Sequence, residues 1–225
     1  MKNLIKAFLI VLLASGIMLV GCKKEEESKV EDNGLTKAIN DFIPENILNE
    51  MKTLGIPINT GGSPPSIENI YYASPFILKA SNRDGDIIGY AFSSYKVKFY
   101  EQNNDDLEIK VDYVNGPESG TGIGGFVVGN DNYFTVFSGI TSTMNNEEAT
   151  LIHVISGKLT TDGIENLHFA NFMLDNHGNP NGTWLEEGEG RIIYDSDGMS
   201  EIVNSLKFGT SNTGSIITVS GVEKR

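Results

Sequence analysis

The feature that most constrains the fold of this chain is a two-residue alternation of apolar and polar side chains, which begins after Ser66. It is clearest in LEIKVDY, residues 107–113, and it recurs in YKVKFY, residues 95–100. Successive side chains of a β-strand point to opposite faces of the sheet, so each of these segments has one buried and one exposed face. This pattern is typical of antiparallel sheet, because parallel strands are usually covered on both faces.

Similar patterns predict further strands along the chain, separated by turn-forming Asp, Asn and Gly. The candidates are 67–72, 75–80, 87–93, 121–128, 132–140, 149–159, 164–174, 189–194 and 213–221. Consecutive strands joined by tight turns predict a meander. A meander of this many strands protects its edges by curling closed or by folding into two sheets. We therefore expect a mainly β fold, with an antiparallel meander that forms a barrel or a strongly curved sheet; a β-sandwich is the alternative.

A short helix is predicted before the strands. Apolar residues recur at helical spacing between Pro44, which is tolerated in the first turn of a helix, and Gly55, which is a natural stop. We expect a helix over 44–54, with a helical turn before it, packed on the rest of the domain. Residues 35–225 then form a single β-rich domain with a helical lead at 35–55, because roughly 190 residues is a natural size for one domain.

The N-terminus has the organisation of a signal peptide. Lys2 and Lys6 are followed by fourteen uncharged residues, Ala7 to Val20, which is signal-peptide length and shorter than the ~20 apolar residues of a membrane span. The sequence Leu19-Val20-Gly21-Cys22 resembles a bacterial lipobox. The resemblance implies that the thiol of Cys22 receives a diacylglycerol and that the chain is cut between Gly21 and Cys22, which removes residues 1–21. The alternative is an uncleaved membrane anchor with an incidental cysteine.

The cysteine and the charged residues after it indicate where the protein resides. Cys22 is the only cysteine, which excludes an internal disulfide and fits a thiol kept for lipidation. Residues 22–34 have too little apolar surface to fold, so we expect a disordered charged tether. Its KKEEESK run resembles the surface-export signal of lipoproteins from the Bacteroidota, and residues 57–82 resemble uncharacterised lipoproteins of that group. These resemblances imply a lipid anchor in the outer membrane, with the domain facing either the cell surface or the periplasm.

The charge balance excludes one class of partner. The chain has 17 basic and 30 acidic residues, a net charge of −13, which becomes −15 once Lys2 and Lys6 are removed with the signal peptide. Nucleic acids and anionic membrane surfaces are bound through basic patches. We therefore expect no nucleic-acid partner, and we expect contact with the membrane through the N-terminal acyl chains.

No arrangement of residues predicts a catalytic or metal site. His153, His168 and His177 are the only histidines, and none lies near the G-x-S-x-G turn of a serine hydrolase. His153 and His168 lie in apolar strand segments and are predicted core residues, whereas His177 lies in a predicted loop. Cysteine catalysis is excluded because Cys22 is assigned to lipidation. Scattered histidines without a cysteine pair do not predict zinc, and we expect no cofactor.

Carboxylates offer an alternative chemistry. Five acids flank the predicted strand at 189–194: Glu186, Glu187, Glu189, Asp195 and Asp197. A glycoside hydrolase uses two carboxyl groups that face each other across the substrate. Nothing in the sequence brings such a pair together, so we do not predict an enzyme and keep a carboxylate-dependent hydrolase as an alternative. The segment DSDGMSE is interpreted as a plain Asp-Gly turn, because Ile193 would occupy the first donor position of a calcium loop.

Aromatic residues are concentrated in the strand region, and most of them must be buried. If the sheet closes, some would line an interior large enough for a small apolar ligand. The general outline resembles the lipocalin and avidin group of small barrels, although Asn69-Ile70-Tyr71 stands where lipocalins carry Gly-x-Trp. We predict a membrane-anchored binding or interaction module for a small apolar ligand or a glycan, with the ligand-binding residues unknown. A structural or adhesive surface protein without a small-molecule site is the alternative.

Overall fold

The computed structural model describes residues 28–207, which form one antiparallel sheet and two short helices. Strands account for 51% of the described residues and helices for 8%. The helices are α1 (Lys37–Phe42) and α2 (Glu45–Thr53). The strands are β1 (Asn69–Ala73), β2 (Phe76–Ser81), β3 (Ala91–Phe92), β4 (Tyr95–Asn103), β5 (Glu108–Asn115), β6 (Glu118–Asn130), β7 (Tyr133–Met144), β8 (Glu147–Leu159), β9 (Gly163–Asp175), β10 (Gly190–Asp195) and β11 (Met199–Ile202).

This arrangement confirms the mainly β, antiparallel fold that the alternation predicted. The predicted strands between 67 and 194 all have counterparts in the structure, although β3 is much shorter than its candidate at 87–93. The strand β11 was not predicted. The signal peptide, Cys22 and the candidate strand at 213–221 lie outside the described residues.

The two helices begin and end at residues that favour helix ends. α1 begins after Thr36, whose hydroxyl accepts a hydrogen bond from the backbone N–H of Ile39 at 3.1 Å, a typical N-terminal cap. α2 follows Pro44 and ends before Gly55, which has a positive φ of 86°. Across residues 28–207, the helices are too short to cross a membrane.

The strands β4 to β10 are hydrogen-bonded neighbours in chain order, which is the predicted meander. The beginning of β9 also pairs with β11, β11 pairs with β1, and β1 pairs with β4. These pairings complete a ring of eight strands at one end of the sheet. The sheet is therefore barrel-like and is closed at this end by β1 and β11.

The other end is less closed, and we call it the open end. Here the later part of β9 pairs with β10, β10 pairs with β2, and β2 pairs with β3, which forms the edge of the sheet. β2 follows β1 after Ser74 and Pro75, but its neighbours are β10 and β3 rather than β4. A side-chain contact lies next to this edge: Asn115, at the end of β5, donates from Nδ2 to the backbone oxygen of Ser93, directly after β3, at 2.6 Å.

The barrel interior is filled with aromatic side chains. Phe76 stacks on Tyr95 with ring centroids 5.0 Å apart, and Tyr95 also contacts Phe169 at 4.9 Å. Aliphatic residues of the inward faces complete this core. An eight-stranded barrel is just wide enough for its own side chains or one small ligand, and here the side chains occupy the centre.

A second core lies outside the barrel, between the helices and the sheet. Buried residues of the helical lead, including Ile39 and Met51, pack with Phe137, Ile152 and Phe172 on the outward faces of β7, β8 and β9. The helices therefore cover one side of the barrel wall.

Residues 28–34, which the sequence analysis placed in the charged tether, contact the domain. Lys29 Nζ donates to Asn104 O at 2.9 Å, and Asn40 Nδ2 donates to Glu31 Oε2 at 2.5 Å. Val30 packs against the helix core. These contacts hold the segment against the domain, although its composition alone predicts a solvated tether.

Candidate functional site

Two adjoining cavities lie at the open end of the barrel and share Glu118, Asn171 and Arg191 in their linings. The larger cavity, about 170 Å³, reaches Trp184 in the loop between β9 and β10. The smaller cavity, about 50 Å³, reaches Tyr95 at the start of β4. We call the residues around these cavities the polar mouth: Tyr95, Tyr113, Glu118, Asn171, Trp184 and Arg191.

Strand pairing brings these residues to the same height of the barrel. In β9, Asn171 lies opposite Arg191 of β10 and His153 of β8. In β5, Tyr113 lies opposite Gly120, close to the start of β6. Directly opposite residues of an antiparallel pair project from the same face. The inward faces of five strands therefore contribute polar groups to one end of an otherwise apolar interior.

A partly buried acid, Glu118, and a buried tyrosine, Tyr113, form the floor of the mouth on the β5–β6 side. Tyr113 Oη donates to Glu118 Oε1 and also shares a hydrogen bond with Ser142 Oγ. Burial raises the pKa of the Glu118 carboxyl, and it raises the pKa of the Tyr113 hydroxyl well above its ordinary value. Burial thus favours the neutral forms of both groups.

An arginine is fixed on the opposite side. Asp86 accepts from Arg191 Nε at 2.7 Å and from Arg191 Nη2 at 2.8 Å, in a two-point contact that fixes the guanidinium plane. Asp86 also accepts from Ser81 Oγ at 2.8 Å. The hydrogen bonds from Arg191 hold the pKa of Asp86 far below its ordinary value. The Arg191 guanidinium lies 5.5 Å from the ring centroid of Phe92, within cation–π range.

The loop at 176–189 holds Trp184 against the barrel. Asn179 Nδ2 donates to Trp184 O at 2.9 Å, and Asn179 Oδ1 accepts from Trp184 N at 2.9 Å. Asn176 Nδ2 adds a bond to Leu185 O at 3.1 Å. The indole packs with Leu151 and is only 9% exposed. Side-chain amides therefore replace regular secondary structure in fixing this loop.

Several buried polar atoms of this end have no hydrogen-bond partner among residues 28–207. They include Tyr95 Oη, Trp184 Nε1 and Asn171 Oδ1, and each belongs to a residue that lines one of the cavities. Leaving a buried donor or acceptor unsatisfied costs about 1–3 kcal/mol. All three belong to residues that line the adjoining cavities, so we take the polar mouth as the candidate binding site.

The structure places two of the three histidines as predicted and one differently. His153 is fully buried between the rings of Tyr113 and Phe169, at 4.8 and 4.6 Å, and burial lowers its pKa to about 3. It is therefore a neutral core residue beneath the mouth, and His177 is exposed in a loop. His168 was expected in the core, but it is only half-buried, because it projects outward from β9 with Nε2 2.8 Å from Lys79 Nζ.

The five predicted acids do not converge. Glu186 and Glu187 are exposed in the loop at 176–189, and Glu189 pairs with Arg83 at 3.4 Å near the open end. Asp195 and Asp197 lie at the other end of β10, a distance of roughly 17 Å for five residue steps. Within the described chain there is no cluster of three or more His, Cys, Asp or Glu that could hold a metal ion.

The segment at 195–201 forms the turn that the sequence predicted. Gly198 N donates to Asp195 O at 3.3 Å, and Gly198 has a positive φ of 89°. Asp195 is buried and accepts from Ser200 Oγ at 2.7 Å, and burial raises its pKa to about 6. This turn connects β10 to β11 and lies away from the polar mouth.

None of the residues that the two cavities share was predicted as a site residue from the sequence. Glu118, Asn171 and Arg191 lie far apart in the sequence and belong to no short motif. Trp184 offered the best signal, because a lone tryptophan in a polar loop is unusual and the indole N–H normally needs a partner when buried.

Comparisons with protein-family models, with curated proteins and with solved structures found no match to this chain. The function of the polar mouth is therefore inferred from its geometry and chemistry.

Proposed function

We propose that this protein is a membrane-anchored, extracytoplasmic binding module that holds a sugar unit of a glycan in its polar mouth. The observation that carries this proposal is a set of three buried polar atoms without partners in the described residues, all of which belong to residues that line the two adjoining cavities: Tyr95, Asn171 and Trp184. Specific polar groups in a small concave site are the usual means of orienting a ligand.

The mixture of donors and acceptors suits hydroxyl groups. Trp184 Nε1 can only donate, Asn171 Oδ1 can only accept, and Tyr95 Oη can do both. A sugar hydroxyl both donates and accepts, so a ring that carries several hydroxyls offers partners for donors and acceptors alike. Trp184, which lines the larger cavity, would contact the C–H groups of such a ring with its indole.

The charges around the mouth favour a neutral ligand. Arg191 is paired with Asp86, and Arg83 lies 3.4 Å from both Asp86 and Glu189. Burial favours the neutral form of Glu118. A charged ligand would enter a site whose fixed charges are already paired, and burying an unpaired charge is costly.

Size separates the two ligand classes that the sequence left open. The larger cavity of about 170 Å³ is smaller than the roughly 300–1,000 Å³ typical of pockets for drug-sized molecules. It therefore suits a single ring. The barrel centre has no room for an apolar ligand, because Phe76, Tyr95 and Phe169 fill it with their own rings. A glycan at the mouth is thus the better-supported class.

The anchor in this proposal comes from the lipobox resemblance at Cys22, which lies outside the described residues. An acylated chain on the outer membrane would place the barrel where extracellular or periplasmic glycans are available. The proposed partners are therefore the membrane, through acyl chains, and a glycan.

Binding can be measured through Trp184, because it is the only tryptophan of the chain. We expect the full-length protein, purified in mild detergent, to bind neutral glycans on an array, and the best of them to change the intrinsic fluorescence in a saturable titration. Tyr95→Phe should weaken binding by about fivefold, which corresponds to one hydrogen bond of about 1 kcal/mol.

Tyr133→Phe is the matched control, because Tyr133 is half-exposed at the start of β7, away from the mouth. It should leave the titration unchanged. Absence of any neutral glycan from the bound set, or equal effects of the two tyrosine variants, would contradict the proposal.

A further inference from the structure

We infer that residues 208–225, which lie outside the described residues, dock into a groove on the outer wall of the barrel. The groove runs across β5, β6 and β7 and has a volume of about 450 Å³. We call it the wall groove, and its lining includes Val114, Ser119, Thr121, Thr141, Thr143 and Leu206. Ser119, Thr121 and Thr143 are exposed, so the groove belongs to the outer face of the sheet and not to the interior. This inference goes beyond glycan binding and does not depend on it.

The last described residues lead the chain into the wall groove. Val203 N donates to the backbone oxygen of Ile70 in β1 at 2.9 Å. Lys96 of β4 then donates from Nζ to the backbone oxygens of Ser205 and Lys207, at 3.1 and 3.0 Å. Lys207 itself lines the groove beside residues of β5. Because the sheet order is β1, β4, β5, β6, β7, these contacts bring the chain strand by strand towards β6.

The segment that follows Lys207 is long enough to fill the groove. It has eighteen residues, and the first twelve of them, up to Val219, can extend over about 40 Å at about 3.3 Å per residue. β5 and β7 are only about 10 Å apart, because neighbouring strands are separated by about 4.8 Å. Ile216, Ile217 and Val219 lie in the candidate strand at 213–221, so the segment can bring β-branched apolar side chains to the groove.

The surface of the groove suits such side chains. Val114 and the methyl groups of the threonines offer apolar contacts, and Leu206 lines the groove while only half-buried. Two residues after Thr121 in β6, Ile123 is 65% exposed and lines a second outer cavity of about 320 Å³. Docking of residues 208–225 would remove this apolar surface from water, which is the main driving force for packing.

The covalent link favours this segment over a separate partner. A segment that is attached at the rim of a groove competes for it at an effective concentration in the millimolar range. A second copy of the chain would have to reach a similar concentration to displace it. The helices already cover the outer faces of β7, β8 and β9, and docking of residues 208–225 would extend this cover to β5 and β6.

The test measures how fast a maleimide alkylates a cysteine in the groove of the full-length protein, purified in mild detergent. Thr121→Cys supplies the cysteine, and Thr53→Cys is the matched control, because Thr53 is exposed on α2. Mass spectrometry of the peptides separates each site from Cys22. We expect Thr121→Cys to react at least tenfold more slowly than Thr53→Cys. Should Thr121→Cys lose cooperative thermal unfolding, Thr143→Cys, exposed in the same groove, takes its place.

Substitutions in the segment identify what covers the groove. Adding Ile217→Asp and Val219→Asp should raise the labelling rate of Thr121→Cys to that of the control, because a charged side chain resists burial against apolar surface. Adding Thr218→Asp and Ser220→Asp, on the opposite face of the candidate strand, should leave the labelling slow.

Labelling of Thr121→Cys as fast as that of Thr53→Cys would overturn the inference. Slow labelling that survives Ile217→Asp with Val219→Asp would overturn it too, because something other than this segment would then cover the groove. Slow labelling that becomes fast on dilution would identify a second copy as the occupant, which also contradicts the inference. None of these results bears on glycan binding at the polar mouth, so the two proposals fail separately.

Discussion

The ring of Tyr113 rests directly on the backbone of Gly120 in the neighbouring strand, where an added Cβ would lie only 2.4 Å from the ring. Such an approach is possible only with glycine, and it seats the hydroxyl of Tyr113 between Glu118 and Ser142. Gly120→Ala should therefore displace the ring and destabilise the protein by about 1–3 kcal/mol, the usual cost of overpacking. Urea unfolding measures this change as a shift in midpoint at an unchanged slope.

Gly124→Ala is the matched control in the same strand, because a Cβ there meets nothing within 4 Å. Its unfolding midpoint should stay close to the wild-type value. Similar losses in the two variants would mean that β6 is sensitive to any added methyl group rather than to the Tyr113 contact.

The ion pair of Asp86 and Arg191 supports the second prediction. Asp86→Ala removes two hydrogen bonds from a guanidinium that is largely buried at the mouth. We expect a loss of about 1–3 kcal/mol in the free energy of unfolding, because the charged donor loses its partner. Glycan binding should weaken too, since Arg191 is no longer held in place.

The control for Asp86 is Asp41→Ala, which removes the exposed ion pair with Lys37 on α1. Exposed pairs of this kind contribute little, so no measurable change in unfolding or in binding is expected. If Asp86→Ala behaves like Asp41→Ala, the arginine is positioned by its packing against Phe92 and not by the carboxylate.

The third prediction concerns pH. Burial raises the pKa of Asp195 from 3.8 to about 6. The folded protein therefore binds a proton more tightly at this site than the unfolded chain, and stability must fall as the pH rises through this window. Asp195→Asn, which keeps an oxygen to accept from Ser200, should gain stability relative to wild type between about pH 4 and about pH 7.

The free energies of unfolding of Asp195→Asn and wild type are compared by urea unfolding at about pH 4 and about pH 7. Asp84→Asn, at an exposed position in the β2–β3 loop, should follow the wild-type curve. If Asp195→Asn runs parallel to wild type, the carboxyl has the same pKa in the folded protein as in the unfolded chain, and its burial does not raise that pKa.

The strands were predicted better than the site, because a strand pattern is local in the sequence whereas the site is formed by residues that lie far apart in it. The alternation in 107–113 is local, and it corresponds closely to β5. The closure by β1 and β11 depends on pairs such as Tyr71 with Ile202, which no short pattern encodes. β11 itself has only four residues, too few for an alternation to stand out.

The polar mouth was not predicted from the sequence, for the same reason. Asn171 and Arg191 become neighbours through the β9–β10 register, and Glu118 joins them only when the barrel curves. The packing of residues 28–34 was also missed, because Lys29 finds its partner at Asn104, far along the chain. Local composition describes a strand or a solvated segment, but long-range pairing decides which polar groups share a cavity.

The last prediction tests the anchor. Each buried methylene contributes about 0.8 kcal/mol, so two or three acyl chains on Cys22 would hold the protein durably on a membrane. Cys22→Ala should abolish incorporation of a fatty-acid analogue and remove the lipid-dependent membrane attachment of the protein. Gly21→Ala is the control, because alanine is also small enough for the cleavage site; it should still be labelled and stay with the membrane fraction. Labelling that survives Cys22→Ala would refute the lipid anchor and, with it, the location that the proposed glycan-binding function assumes.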